Sequence, residues 1–281
     1  MNILSFDVED WYCHDNYSQD FEWSKHEVRI HKPLYDILDC LDEFKVKGTF
    51  FCLGWLAEYH PEVILEIHNR GHHIGCHSYQ HQLAYRMDKK SFFQDTLKAK
   101  KLIEDICGTE VNAYRAPSFS IIKENFHHLE TLIELGFKYD SSIFPASREC
   151  GGYQEYGTAQ PKIIISEVGS IKEFPINTYK ILNKNIIFSG GGYFRIMPYP
   201  IIKHMMNNSE YIMSYFHPSD FDPGQPRLRH LPITRQIKNH ICLKSSFQKF
   251  RHYIADNEFV NFVSADALLD WEKVEKITIL R

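Results

Sequence analysis

The segment SFDVEDWY, residues 5–12, places three carboxylates, Asp7, Glu9 and Asp10, directly after the apolar residues Ile3, Leu4 and Phe6. A strand end needs one acid to hydrogen-bond its turn, whereas three ask for a partner. Two histidines in HSYQH, His77 and His81, stand four residues apart. On a helical turn both imidazoles would project from one face about 6 Å apart, the geometry that grips a divalent ion. A carboxylate from another strand would complete the ligand set. Arg115 in YRAPS, Asp140 in YDSS and His217 in YFHPSDFD are the other charged or titratable residues that follow predicted strands. Each has a plainer reading on its own: exposed histidines, Asp10 or Asp15 as a helix cap, a structural ion pair for Arg115, a core histidine beside Pro218. Their recurrence at successive strand ends is what points to one site.

The elements that must position them read as alternating strands and helices. NILSFDV is a buried strand, and KPLYDILDCLDEFKV has apolar residues at Leu34, Ile37, Leu38, Leu41 and Phe44, a helical period. GTFFCLG reads as a strand, HPEVILEIHNRG as a helix ended by Gly71, and HHIGCH as a short strand. A long helix, KKSFFQDTLKAKKLIEDICG, closes at Gly108; VNAYRAP, the helical ENFHHLETLIELGF and YDSSI follow. After Pro145 the alternation falters. SRECGGYQEYGTAQP is glycine-rich and polar, while KIIISEVGSIKEFPI and IIFSGGGYF read as hairpin or strand material, an insertion over the site. EYIMSYFH, the helical SSFQKFRHYIAD and the strand-like FVNFV restore the order. This pattern predicts an α/β fold, a distorted (β/α) barrel of about seven strands forming a single domain over residues 1–281. The loops after the strand C-termini of such a fold gather functional groups on one rim, and every residue singled out above follows a predicted strand.

Composition narrows the function. With 281 residues, 43% hydrophobic and 24% charged, the chain is long enough for a well-developed core. A net charge of -4 and a pI near 6.5 give no footprint for nucleic acid. No apolar run reaches the roughly 18 residues of a spanning helix, and no leader pattern precedes the first strand, so a cytoplasmic protein is expected. Seven cysteines, odd in number and without a CxxC, fit a reducing compartment. Cys76 beside His77 suits a buried strand cysteine better than a nucleophile.

In this order and at these separations, SFDVED, HSYQH, RAPS, YDSS and FHP resemble the motifs of the NodB-homology polysaccharide deacetylases, carbohydrate esterase family 4, over about residues 2–218. FDVEDW, SGGGYFRIMPY and HPSDFDPGQPRL are similar to the subgroup found with exopolysaccharide, capsule and O-antigen gene clusters, with a C-terminal extension from about residue 218. The resemblance implies a metal-dependent N-deacetylase acting on an N-acetylated sugar or polysaccharide precursor. Asp7 would be the general base, held by Arg115. His217 would be the general acid, held by Asp140. One divalent ion, Zn²⁺ with Co²⁺ or Ni²⁺ accepting similar ligands, would be bound by His77, His81 and either Glu9 or Asp10. The family's usual first motif has adjacent aspartates, so the spacing here leaves that last ligand open. Ser118 stands where the family has a tyrosine whose backbone N–H helps bind the oxyanion, and Tyr215 replaces a leucine of the acetyl pocket. Gly190–Arg195 reads as a substrate-facing loop carrying Tyr193 and Phe194; Trp11, Tyr12 and Tyr153 are further candidates for stacking on sugar faces. Two rival readings remain: an allantoinase-like or formyl-sugar amidohydrolase, and a catalytically silent sugar-binding protein of the same fold.

Overall fold

Asn2–Val8 is strand β1, buried from Ile3 onward on both faces, as a central parallel strand must be. The computed structural model describes residues 1–13, 22–147, 151–182, 184–227 and 233–279; Asp15, Cys150 and Leu231 lie outside them. The strands that follow are β2 (Thr49–Cys52), β3 (His73–Cys76), β4 (Ala113–Tyr114), β5 (Tyr139–Asp140), β6 (Lys162–Ser166), β7 (Gly169–Glu173), β8 (Tyr179–Ile181), β9 (Lys184–Ile186), β10 (Ile212–Phe216) and β11 (Lys276–Thr278). Nine of them form one sheet in the order β10-β1-β2-β3-β4-β5-β7-β6-β11. From β10 through β7 every pairing is parallel; six of these seven strands are ones the alternating pattern predicts, and the seventh, β7, comes from the stretch read as an insertion.

The helices pack on this sheet through the faces their periodicity marks. They are α1 (His31–Glu43), α2 (Gly54–Tyr59), α3 (Pro61–Asn69), α4 (Lys89–Cys107), α5 (His128–Glu134), α6 (Gly191–Ile196), α7 (Tyr199–Asn207), α8 (Ile233–His240), α9 (Leu243–Ala255) and α10 (Phe262–Leu268). In α1 the buried residues include Leu34, Ile37, Leu38 and Leu41, the stripe read from the sequence. Helix α4 starts with Asp88 accepting from Ser91 N and stops at Gly108, whose φ of 65° is the left-handed conformation that a C-terminal glycine adopts without a Cβ clash. No helix among the described residues is long and apolar enough to cross a membrane.

The second half differs from the reading above in three places. The β6–β7 hairpin does not lie over the site: β7 pairs with β5 and extends the sheet. GGGYFR is not a loop but the first turns of α6, because Phe194 and Arg195 are drawn into the interior. FVNFV contributes only Val260 to a bridge with Ile3, and α10 begins at Phe262. Among the described residues the ladder does not close into a full barrel. Side chains span the gap: Asn177 Oδ1 accepts from Met213 N (3.0 Å) and Ser189 Oγ (2.8 Å), and Tyr211 Oη donates to Pro175 O at 2.7 Å.

Candidate active site

The C-terminal ends of β1, β3, β4 and β10 bring Asp7, Glu9, His77, His81, Arg115 and His217 together. Glu9 Oε2 lies 2.8 Å from His81 Nε2, and Glu9, His77 and His81, all buried, offer ligand atoms within 4.8 Å of one another. The two histidines do not meet on a helical turn. A loop holds them, with left-handed backbone at Ser78 (φ 62°) and His81 (φ 56°), and places their rings 5.2 Å apart. His77 Nδ1 donates to Arg115 O at 2.8 Å, which turns Nε2 toward the cluster. Burial lowers the His77 pKa to about 4, so its ring is neutral, as a ligand imidazole must be. Two imidazoles and a carboxylate are the donor set of a mononuclear Zn²⁺ site with open positions, and these residues fit one.

Asp7 sits beside this cluster. Its Oδ1 accepts from Arg115 Nη1 at 2.7 Å, while Oδ2 faces His217 Nε2 at 3.7 Å. Arg115 is wholly buried; its other donors reach Ser141 Oγ (3.0 Å) and Ser141 O (3.3 Å), and it stacks 4.2 Å over the Phe51 ring. Burial alone would raise the Asp7 carboxyl, but the charges of Arg115 and His217 and the hydrogen bond from Arg115 hold it below its ordinary value. Asp7 is therefore an ionised proton acceptor with one oxygen anchored and the other directed at the site.

His217 follows β10. Its Nε2 lies 3.4 Å from Glu9 Oε1, and its Nδ1 lies 3.1 Å from Asp220 Oδ2, which also accepts from His217 N at 3.0 Å. Burial would lower the imidazole; the hydrogen bond and charge of Asp220, then Glu9 and Asp7, push it up to about 9.

Six of the residues read as site or stacking candidates make other contacts. Asp10 accepts from Trp11 N (2.7 Å), Arg29 N (2.7 Å) and Ile30 N (3.0 Å), so it ties the end of β1 to the start of α1 and is not among the clustered ligands. Asp140 does not hold His217: its oxygens take Ser142 Oγ (2.6 Å) and Ser142 N (3.1 Å), with Glu173 opposite it on β7. Phe194 is fully buried against Phe216 and Tyr253. Trp11 is buried, its Nε1 donating to Glu27 O at 3.0 Å. Tyr12 is buried too, and the Tyr153 ring packs against Phe126 while its backbone N–H donates to Phe144 O at 2.8 Å. Ser118 occupies the tight turn after Arg115 with φ 54°, and Tyr193, 57% exposed, lines a cleft of about 150 Å³ with Phe144, Asn185, Ile187 and Tyr215. Cys76 is buried in β3, which pushes its thiol up and away from nucleophilic chemistry.

Asp220 and Arg195 escaped the sequence reading. Asp220 had a local signal, since an acid three residues into a Pro-started turn reaches back to the backbone at its start; Arg195 had none. A second group of metal-ligand types, His31, His60 and Glu62, is partly exposed at the starts of α1 and α3. Helix N-termini favour anions over cations, which accounts for Glu62 there.

Residues 32–139 match the polysaccharide deacetylase family model, and residues 141–267 match DUF3473, a domain of unknown function. A peptidoglycan-N-acetylglucosamine deacetylase of Bacillus cereus is 32% identical over 87 residues, 31% of this chain and 32% of that protein. A peptidoglycan deacetylase of Helicobacter pylori is 32% identical over 109 residues, 38% of this chain and 36% of that protein. The matches thus span about a third of these relatives' length. The fold extends further. The crystal structure of a Mycobacterium smegmatis protein described as a polysaccharide deacetylase aligns with TM-score 0.67 at 21% identity, over 99% of this chain and 93% of that one. A Bacillus anthracis pseudoenzyme of carbohydrate esterase family 4 aligns with TM-score 0.50 at 13% identity, over 99% and 69%. A deacetylase fold therefore occurs without activity, and function has to be argued from the side chains.

Proposed function

We propose that the chain hydrolyses the N-acetyl group of an amino sugar within a surface polysaccharide or its precursor, using one divalent ion, Zn²⁺ by preference, held by Glu9, His77 and His81. One observation carries this reading: Asp7 Oδ2 and His217 Nε2 lie 3.7 Å apart beside that ligand set. Binding a sugar needs no such pair of acid and base. An amide is a poor electrophile with a poor leaving group, so its hydrolysis needs an activated water, a stabilised oxyanion and a proton delivered to nitrogen. A bound divalent ion would supply the polarisation of the acetyl carbonyl and the acidification of water. Asp7 Oδ2 takes a proton from the attacking water, and Arg115 keeps that carboxylate ionised and aimed. As the C–N bond breaks, His217 Nε2 gives a proton to the departing nitrogen, leaving acetate and a free amine. The cleft lined by Tyr193, Tyr215 and Phe144 would receive the sugar ring, with Tyr215 6.1 Å from the His217 ring.

Acetate release from N-acetylated oligosaccharides and from nucleotide- or lipid-linked amino sugars tests the reading. Asp7→Asn is expected to keep metal and substrate binding and to lower kcat by about 10²- to 10⁴-fold. No acetate from any member of the panel, with zinc bound, would favour the silent sugar-binding protein.

A further inference from the structure

We propose that Asp220 and Arg195, both in the segment of unknown function, are the positioning residues of His217, in the role the family resemblance gives to Asp140. The proposal rests on the deacetylase reading above. An imidazole delivers a proton from the nitrogen that its other hydrogen bond leaves available, so whatever holds Nδ1 decides whether Nε2 can act. Asp220 Oδ2 takes both the Nδ1 and the backbone N–H of His217, at 3.1 and 3.0 Å, and leaves Nε2 facing Asp7 and Glu9.

The carboxylate is itself held from the far side. Arg195 Nε forms an ion pair with Asp220 Oδ1 at 3.2 Å, and both side chains are 7% exposed. The rest of that guanidinium is locked by carbonyls at the end of α8: Nη1 donates to Asn239 O (2.8 Å) and Ile241 O (3.3 Å), and Nη2 to Lys238 O (3.1 Å). Ser246 Oγ on α9 donates to Asp220 O at 2.7 Å, fixing the backbone of the same turn. Lys249, also on α9, donates to the carbonyls of Phe194, Arg195 and Met197 and secures α6. Three helices of the second segment thus converge on the orientation of one imidazole. A plain turn cap would need only the bond to His217 N. It would need neither the Nδ1 contact nor a buried arginine behind the acid.

The test compares wild type with Asp220→Ala, Asp220→Asn and Arg195→Lys, all zinc-loaded, on an N-acetylglucosamine oligomer and on 4-nitrophenyl acetate. Nitrophenolate leaves without a proton, so only the amide needs a correctly directed Nε2. Asp220→Asn keeps an oxygen for the backbone N–H but sets an N–H against Arg195, so it retains the cap while disturbing the carboxylate. On the oligomer, both Asp220 variants should lose about 10²-fold or more in kcat with KM within about threefold. On the ester they should lose less than about tenfold, and Arg195→Lys should show the same pattern more weakly. In parallel, ¹⁵N NMR of the His217 ring at alkaline pH should show the Nδ1–H tautomer in wild type and a shift toward Nε2–H in Asp220→Ala. Equal losses on amide and ester, or an unchanged tautomer in Asp220→Ala, overturn the proposal. If wild type turns over neither substrate, the deacetylase reading fails and the tautomer measurement alone decides the role of Asp220.

Discussion

Replacing Asp10 and Glu9 separately by alanine should split fold from site. The Asp10 side chain is buried and is the acceptor for three backbone N–H groups, those of Trp11, Arg29 and Ile30. Each donor stranded in the interior costs about 1–3 kcal/mol; with partial relaxation the total for Asp10→Ala is about 3–6 kcal/mol. For a chain of this size each kcal/mol is worth about 2 °C, so the melting midpoint should fall by about 6–12 °C. Asp10→Asn, its oxygen turned toward Arg29 and Ile30, strands only Trp11 N and should fall between. Glu9 instead faces His81 and His217, at 2.8 and 3.4 Å. Removing an outer partner of a metal ligand already costs 10- to 100-fold in affinity, so losing Glu9 itself should cost on the order of 100-fold or more, with the midpoint measured in chelator moving by less than about 3 °C. Thermal unfolding in chelator, paired with zinc competition against a chromophoric chelator, reads both quantities. An Asp10→Ala protein that melts like wild type yet loses zinc would refute the assignment of the two acids.

Glu173 is pushed well above its ordinary 4.5 by burial and then by the charge of Asp140, which burial raises as well. Such carboxyls bind protons more tightly folded than unfolded, so they stabilise fully below the unfolded values and that contribution is lost as pH rises through the folded ones. Wild type should therefore lose stability from about pH 4.5 toward neutrality, and Glu173→Gln should lose less of it; parallel urea midpoints between pH 5 and 8 would contradict this. Gly190→Ala would put a Cβ 2.1 Å from Tyr215 O and 2.6 Å from its ring, so about 1–3 kcal/mol of overpacking should lower the melting midpoint by about 2–6 °C, and an unchanged midpoint would show that the seam yields.

The sequence made legible what is local. Strand period, helix stripes and the residues that directly follow strand ends were enough to name Asp7, His77, His81, Arg115 and His217. What it left open depends on direction in space. Whether Glu9 or Asp10 turns inward follows from where β1 ends, at Val8, and from the donors Arg29 and Ile30, some twenty residues on. The resemblance put Asp140 beside His217, but the carboxylate that reaches the ring is that of Asp220, three residues away in the same turn. The aromatic residues fared worst, because type does not reveal exposure: Phe194 and Trp11 are buried while Tyr193 is not. The three glycines Gly190, Gly191 and Gly192 read as a turn, yet the packing of Phe194 and Arg195 starts a helix there against propensity.

Strand β1 belongs to neither matched segment, yet it pairs with β2 of one and β10 of the other. A gene fragment encoding residues 32–139 alone would carry His77, His81 and Arg115 without Asp7, Glu9 or His217, and its strands would end in unpaired edges at β2 and β5. Recombination cannot move that fragment into a foreign gene and transfer the chemistry with it. The proposed chemistry therefore needs all three stretches in one sheet, and a slip of register in any of them would separate these residues.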